Sequence, residues 1–191
     1  MRAIPGPVQN LIDAFSRLPG IGPKSASRLT FFLLKAPEAL SMELADALEA
    51  LKSETSHCQQ CFNITLAGEE ICEICGSSER SDETICVVEE PLDVLAIEKT
   101  GVYQGKYHVL MGVLSPIEGI GPDQIKIFPL LERLQNGLTK EVIVATNPSM
   151  EGDATALYLQ QRIAPMGRFS VLGSVVAASM TLTCSQTLSF D

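Results

Sequence analysis

The chain has 191 residues, of which 46% are hydrophobic and 19% are charged. This composition is typical of a folded protein and excludes wholesale disorder. The formal net charge of -9 argues against a protein that binds nucleic acid over its whole surface, since such surfaces are basic. Residues 1–57 are charge-balanced, however, so the acidity lies further along the chain.

The sequence opens without the apolar segment of a secretory signal. It also contains no apolar run of about 20 residues, the length that a membrane-spanning helix needs. We therefore expect a cytoplasmic protein. In that reducing compartment the six cysteines are expected to be metal ligands or buried thiols rather than disulfides.

A helix, a glycine hairpin and a second helix are predicted near the N-terminus. Apolar residues recur at helical spacing over residues 8–17 and again over residues 26–35. The segment between them reads Leu-Pro-Gly-Ile-Gly-Pro. Its Gly20 and Gly22 allow a tight turn. Pro23 suits the first position of a helix, where its missing N–H costs nothing.

This hairpin has the features of an anion site. The N-terminus of the second helix presents free backbone N–H groups, and Lys24 and Arg28 lie four residues apart on one face beside it. The stretch resembles the helix-hairpin-helix motif, whose usual form also reads Leu-Pro-Gly-Ile-Gly. That resemblance implies contact with the DNA backbone, without sequence preference, through Gly20, Gly22, Lys24 and Arg28. The alternative is an ordinary helical hairpin with a glycine turn.

Four cysteines predict a closed metal site. They form two Cys-x-x-Cys pairs, Cys58 with Cys61 and Cys72 with Cys75. Two such turns can surround a tetrahedral Zn²⁺, and four protein ligands are typical of a structural rather than a catalytic zinc site. Redox pairs or disulfides are the alternatives, and both are poor choices in a short cytosolic segment. We expect a short hairpin at residues 63–68, between the two pairs.

From residue 83 onward, short apolar strands alternate with helices. Strands are predicted at residues 85–89, 107–111 and 141–145, and a helix follows each of them. This α/β alternation indicates a Rossmann-like parallel sheet that is covered on both faces. Cys86 lies in the first strand and is expected to be a small core residue.

Two motifs at the ends of the first and third strands resemble the Toprim domain. In that family a Glu ends the first strand, an Asp-x-Asp-x-Glu-Gly run follows a later strand, and the acids together hold Mg²⁺. Glu89 matches the first acid, and Glu151 with Gly152 matches the end of the run. Asn147 and Ser149 replace the two aspartates of the family pattern.

These replacements remove charge that metal-dependent catalysis needs. Mg²⁺ is usually anchored by one or two carboxylates, and two-metal phosphoryl transfer stabilises both the attacking and the leaving oxygen. Glu89 and Glu151 still offer ligands for one weakly bound cation, but we predict that the protein is not an enzyme. The alternatives are a solvated acidic rim and a docking patch for a basic partner, with Glu89 and Glu151 as its candidate residues.

The order of these parts resembles the bacterial RecR family of recombination mediators. The resemblance covers residues 11–167 and includes the hairpin, both cysteine pairs, both Toprim motifs and a glycine-containing loop at residues 114–123. It implies the following organisation: a helix-hairpin-helix DNA-binding region at 1–56, a four-cysteine zinc finger at 57–76, a Toprim domain at 83–167 and a divergent tail at 168–191.

The resemblance also implies a function. Members of the family are non-enzymatic DNA-repair factors that form homo-oligomers, either dimers or tetrameric rings able to encircle DNA. They act with RecO, and in some bacteria RecF, to load RecA onto single-stranded DNA, and they carry zinc. For this chain the resemblance places Lys24 and Arg28 on the DNA-facing surface and RecO at the acidic Toprim face. It also implies a cytoplasmic location at the nucleoid.

The chain departs from the family pattern after Gly167. Family members continue with an arginine- and glycine-containing strand and end in a basic C-terminus, whereas Arg168 is the last cation here. Residues 169–191 hold a single charge, Asp191. Our hypothesis is a change of reading frame near Gly167 or Arg168. Resequencing the gene tests this, and an unbroken native frame that ends as written would contradict it.

Two other functions stay open from the sequence. One is a Mg²⁺-dependent Toprim nuclease or primase-like enzyme, against which Asn147 and Ser149 argue. The other is a zinc module that binds only proteins and whose hairpin never touches DNA. Cleavage of DNA in Mg²⁺ would favour the first, and a DNA affinity that is insensitive to salt and to Lys24 would favour the second.

Overall fold

The computed structural model describes residues 4–166 and the backbone of residues 170–172. These residues form two compact units that divide between Glu54 and Thr55. The first unit holds three helices, and the second holds a small cysteine-rich module and a parallel sheet with its helices. Among the helices of these ranges, none combines the length and the hydropathy of a membrane span. Most of the tail predicted as divergent, residues 168–191, lies outside these ranges.

The first unit contains the helices α1 (Gly6–Ser16), α2 (Pro23–Lys35) and α3 (Glu38–Ser53). The first two match the helices predicted at residues 8–17 and 26–35, and their ends differ from the prediction by a few residues, as is common for helix ends. Ile12 of α1 and Ala26 of α2 are buried where α1 and α2 pack together. Buried residues are absent from α3, although it carries several leucines.

The second unit begins with a module at residues 55–76, here called the cysteine module. It contains β1 (Thr55–His57), β2 (Ile64–Leu66) and one helical turn, α4 (Glu73–Gly76). The two strands are antiparallel, with Thr55 opposite Leu66. The hairpin predicted within residues 63–68 was therefore wrong, because β2 pairs with a strand that precedes the first cysteine pair. Residues 63–68 contain only β2 and end in a turn at Gly68, where φ is +91°.

A four-stranded parallel sheet forms the rest of the second unit. Its strands are β3 (Ser81–Val88), β4 (Gly105–Val109), β5 (Glu141–Ala145) and β6 (Ser170–Leu172), in the order β4-β3-β5-β6. Its helices are α5 (Pro91–Glu98), α6 (Ile127–Leu134) and α7 (Met150–Ile163), and a 3-10 turn (Ala164–Met166) follows α7. The predicted α/β class is thus confirmed.

Both faces of the sheet are buried, as the nearly continuous apolar strands require. Successive side chains of β3 point to opposite faces. Val87 packs with Leu110, Leu130 and Leu159 on one side. Cys86 packs with Val88, Tyr107 and Val94 on the other side. Cys86 is therefore a core residue, as predicted, and burial raises the pKa of its thiol to about 12.

The amino end of the sheet is stabilised by a largely shielded ion pair. Arg80 donates to both carboxylate oxygens of Glu98, at 2.9 and 2.5 Å, and the Tyr107 hydroxyl donates to Glu98 at 2.6 Å. Arg80 also donates to the carbonyl of Tyr103 at 3.0 Å. Burial alone would raise the pKa of Glu98, but the hydrogen bonds from Arg80 and Tyr107 outweigh it and lower that pKa below the usual 4.5. This network ties α5 to β4 and to the segment before β3.

Glu98→Gln should lower the free energy of unfolding at pH 7 by about 1 to 3 kcal/mol, because Arg80 loses its charged partner. A carboxyl whose pKa is lower in the folded state stabilises the fold above its unfolded pKa and loses that effect as the pH falls through the folded value. The difference between wild type and variant should therefore shrink below pH 4.5. Urea unfolding at a series of pH values measures it.

Glu83→Gln is the matched control. Glu83 pairs with Lys140 on the surface, where the two side chains are 57% and 70% exposed. Exposed pairs contribute little, so this variant should unfold like the wild type at every pH. A Glu98→Gln variant whose deficit stayed constant down to about pH 3, well below the usual carboxyl range, would show that the carboxylate charge is not the source of the stability.

Candidate functional site

The four cysteines of the cysteine module converge on one point. Their Sγ atoms all lie within 4.8 Å of one another, and the Cys61 and Cys72 sulfurs are 3.5 Å apart. All four residues are buried. Four thiolates at about 2.3 Å from a tetrahedral Zn²⁺ would be about 3.8 Å apart, so the observed spacing suits a metal ion. The cluster is positioned to bind a metal, with no open position for a substrate.

Local backbone hydrogen bonds hold each cysteine pair on a tight turn. The Phe62 N–H donates to the Cys58 carbonyl at 2.9 Å, and the Gly76 N–H donates to the Cys72 carbonyl at 2.9 Å. Phe62 has a φ of +63°, an uncommon value for a residue with a side chain. These turns place both sulfurs of a pair on the same side of the chain.

The thiols of the cluster also influence one another electrostatically. The Cys61 thiol hydrogen-bonds to the Cys72 sulfur, which lowers the pKa of Cys72 and raises the pKa of Cys61. Four thiolates this close cannot all be ionised without a counter-charge, because like charges disfavour one another's ionisation. A divalent cation supplies that counter-charge, so the donor set fits a metal such as zinc.

The cysteine module is attached to strand β4. The Val109 N–H donates to the Cys61 carbonyl at 2.8 Å. The Phe62 ring meets the ring of His108 edge-on at 5.4 Å, and the Lys126 ammonium lies 5.1 Å from the centroid of the Phe62 ring. Burial lowers the pKa of His108 to about 4, so this histidine is neutral at pH 7. No local sequence pattern signals these contacts, since His108 and Lys126 are distant from Phe62 in sequence.

The glycine hairpin of the first unit has the geometry of its motif. Gly20 has a φ of +77°, which favours glycine, and the Ile21 N–H donates to the Leu18 carbonyl at 3.1 Å. Gly22 precedes α2, and no side chain caps that helix. The first N–H groups of α2 are therefore available to an anion. Lys24 and Arg28 are both exposed on α2, one turn apart.

The two Toprim-like motifs meet at the carboxyl end of the sheet. Val88 pairs with Ala145 across β3 and β5, so Glu89 lies beside the loop that follows β5. The Asn147 backbone N–H donates to Glu89 Oε1 at 2.7 Å, and its side-chain amide donates to Oε2 at 2.6 Å. Glu89 is only 7% exposed. Glu151 is half-buried in the first turn of α7.

Ser149 and Gly152 complete this end of the sheet. The Ser149 hydroxyl accepts from the Gly152 N–H at 3.0 Å and caps α7. A Cβ on Gly152 would lie 2.1 Å from the Asn147 carbonyl oxygen and 3.0 Å from Glu89 Oε1, so only glycine fits there. The sequence identified Asn147 and Ser149 as missing metal ligands. It did not show that Asn147 donates to Glu89 or that Ser149 caps a helix.

Cys72→Ser should abolish stoichiometric metal binding and unfold the cysteine module, because a metal held by the cluster would be the main source of order in so small a segment. Purified protein assayed by atomic emission and by thiol titration gives the metal content. Cys86→Ala is the matched control, since it removes a buried thiol outside the cluster and should leave the metal content unchanged. Full metal content in Cys72→Ser would exclude that thiolate as a ligand.

Comparisons with known proteins agree with this arrangement. Residues 8–52 match the family model described as RecR, helix-hairpin-helix, and residues 83–172 match the model of the Toprim domain. The chain is 55% identical over 163 residues to recombination protein RecR of Herpetosiphon aurantiacus, which covers 85% of this chain and 79% of that protein.

Two further relatives carry the same name. Recombination protein RecR of a Roseiflexus species is 52% identical, covering 87% of this chain and 80% of the relative. The protein of Dehalococcoides mccartyi is 51% identical, covering 85% of this chain and 78% of the relative. By sequence identity and by the order of its domains, the chain belongs to the RecR family of recombination proteins.

Proposed function

We propose that the chain is a non-enzymatic mediator of recombinational DNA repair. It binds the DNA backbone through the glycine hairpin and acts with RecO, and in some bacteria RecF, to load RecA onto single-stranded DNA. The observation that carries this proposal is the uncapped N-terminus of α2, which lies beside two exposed cations in a chain of the RecR family.

The DNA contact would use Gly20, Gly22, Lys24 and Arg28. The glycines allow the phosphate to approach the backbone, and the free N–H groups of α2 bind its oxygens. The two cations neutralise phosphate charge without reading base identity. Because the first unit is charge-balanced, such a contact is compatible with the acidity of the whole chain.

The proposed homo-oligomer, a dimer or a tetrameric ring, has support in the first unit. Large apolar side chains are exposed on its second and third helices, among them Phe32, Leu34 and Leu48. A monomer rarely leaves so many exposed apolar side chains without a binding role. A second copy of the chain would cover them, and a ring would let DNA pass through the middle.

The proposed metal is zinc in a structural role. Four cysteine sulfurs within 4.8 Å of one another suit Zn²⁺, which prefers thiolate ligands in a tetrahedral arrangement. All four coordination positions belong to the protein, so the ion would not activate water or a substrate. Its function would be to fold the cysteine module.

The proposed absence of catalysis has support at the carboxyl end of the sheet. The two aspartates of the Toprim pattern are Asn147 and Ser149 here, and both are used within the fold. Glu89 and Glu151 alone supply too little charge for two-metal phosphoryl transfer. DNA cleavage in Mg²⁺ that disappears in Glu89→Ala would contradict this proposal and favour the nuclease alternative.

The proposed docking site for RecO is the acidic face around Glu89 and Glu151. Of these two, Glu151 is the more accessible, since Glu89 is buried beneath Asn147. Glu90 follows Glu89 and Asp153 lies two residues after Glu151, and both of these acids are exposed. Glu89 would hold the shape of this face, and the other acids would meet basic side chains of the partner.

Double substitution of Lys24→Ala and Arg28→Ala should weaken DNA binding and flatten its dependence on salt. Each phosphate neutralised contributes about 0.9 to the slope of log affinity against log salt for duplex DNA. The slope should therefore fall by about 2 per binding site in the variant. Fluorescence anisotropy with a labelled oligonucleotide over a range of salt concentrations measures the slope.

Lys35→Ala with Lys52→Ala is the matched control for this experiment. It removes two exposed charges from the same unit, at the C-terminal ends of α2 and α3. We expect the salt slope of this control to stay close to that of the wild type. Equal slopes for all three proteins would place the DNA contact elsewhere and contradict the proposed role of the hairpin.

Glu151→Ala should weaken binding to purified RecO by about three- to tenfold, because one charge pair at an interface contributes on the order of 1 kcal/mol. Glu79→Ala is the control, since Glu79 is an exposed acid that precedes β3 at the opposite end of the sheet. Calorimetry at low and moderate salt compares the two variants. Equal affinities would argue against docking at the carboxyl end of the sheet.

A further inference from the structure

The pair formed by Glu89 and Asn147 has a hydrogen-bonding pattern that the family pattern does not predict. Glu89 is nearly buried, and each of its carboxylate oxygens accepts a hydrogen bond from Asn147. A carboxylate only accepts hydrogen bonds, so the amide nitrogen of Asn147, not its oxygen, faces Glu89. Asn147 therefore presents donors at the place where a metal-binding Toprim domain presents a second acid.

These two bonds are short and involve a charged acceptor. At 2.6 and 2.7 Å they lie in the range of charge-assisted hydrogen bonds, which are about twice as strong as neutral ones. A buried carboxylate needs such partners, because burial of its charge without them is strongly unfavourable. Asn147 thus stabilises the Glu89 charge without adding a charge of its own.

Neighbouring groups keep Asn147 in this position. The backbone carbonyl oxygen of Asn147 accepts from the Ser149 N–H at 2.8 Å, and Gly152 packs directly against that backbone carbonyl. The Glu89 carbonyl accepts from the Gly112 N–H at 3.1 Å. The pair therefore joins β3, the loop after β5, the start of α7 and the loop after β4.

We propose that Asn147 takes the place of the divalent cation that a metal-binding Toprim domain holds, so that this end of the sheet keeps its shape with no cation. The Mg²⁺ that the Toprim domain implies does not fit here. Its ligands would have to include the Glu89 oxygens, and an N–H group of Asn147, whose positive end repels a cation, already lies against each of them. Glu89 is then a structural acceptor rather than a metal ligand.

The proposal goes beyond the mediator function and does not depend on it. A mediator that kept Mg²⁺ at this site would bind DNA through the same hairpin. A protein that failed to bind DNA would still have the pair of Glu89 and Asn147. The tests therefore measure stability and cation binding, and neither readout requires DNA or RecO.

The first test is Asn147→Asp in the full-length, zinc-loaded chain. An aspartate at this position puts two carboxylates in contact, and like charges this close disfavour joint ionisation. The melting temperature should fall by about 3 to 6 °C at neutral pH. Millimolar MgCl2 should restore much of the loss, whereas NaCl of equal ionic strength should not, and mild acid should restore it by protonating one carboxyl.

Two matched variants separate charge from packing. Asn147→Ala loses the side-chain donor without adding charge, so its melting temperature should fall and should not respond to MgCl2. Glu89→Gln with Asn147→Asp exchanges the amide and the carboxylate and rebuilds one donor–acceptor pair. This double variant should melt above Asn147→Asp and should not respond to MgCl2.

The wild type supplies a second measurement that does not depend on any variant folding. Titration of MgCl2 into the wild type, with melting temperature and calorimetry as readouts, should show no effect beyond that of matched NaCl. Stabilisation by MgCl2 that is lost in Glu89→Gln would overturn the proposal. So would an Asn147→Asp variant that is as stable as the wild type and indifferent to MgCl2.

Discussion

The pairing of β3 with both β4 and β5 is the constraint on which the rest of the second unit depends. Parallel pairing brings the carboxyl ends of strands to one place, so Glu89 meets Asn147 although 58 residues separate them. The same register leads into α7, whose cap and glycine then pack against the pair. Burial of both faces of the sheet fixes this register, because a slip of one residue would turn every core side chain of β3 to the wrong face.

The cysteine module depends on the convergence of its four cysteines, and it is attached to the sheet through strand β4. Its apolar side chains are few, so the metal that its four cysteines are positioned to bind would supply the energy that folds it. Hydrogen bonding of Val109 to the Cys61 carbonyl and packing of Phe62 on His108 then attach it to β4. The two proposed binding surfaces of the chain, the hairpin and the acidic face, thus belong to separate compact units, and each unit is ordered by its own contacts.

Features that depend on the spacing of residues along the chain could be predicted from the sequence alone. The two cysteine pairs, the glycine hairpin and the alternation of strands and helices each follow from residue types at fixed intervals, and the structure contains them. The sequence did not predict features that depend on contacts between residues far apart in the chain. Pairing of β1 with β2 places the first cysteine pair inside a hairpin, which no local pattern signals. Asn147 looked like a lost ligand because a sequence shows which groups are present but not which way a hydrogen bond runs.

The bond from Val109 to the Cys61 carbonyl has a consequence for the behaviour of the protein in a crowded cell. Strand β4 is at the margin of the described sheet, and an open margin of N–H and C=O groups can pair with a strand of another chain. The cysteine module occupies one of those groups and lies over the end of β4. If the cysteine module unfolded for want of a metal, this margin of β4 would be open to pairing with another chain, and loss of the metal would then promote aggregation.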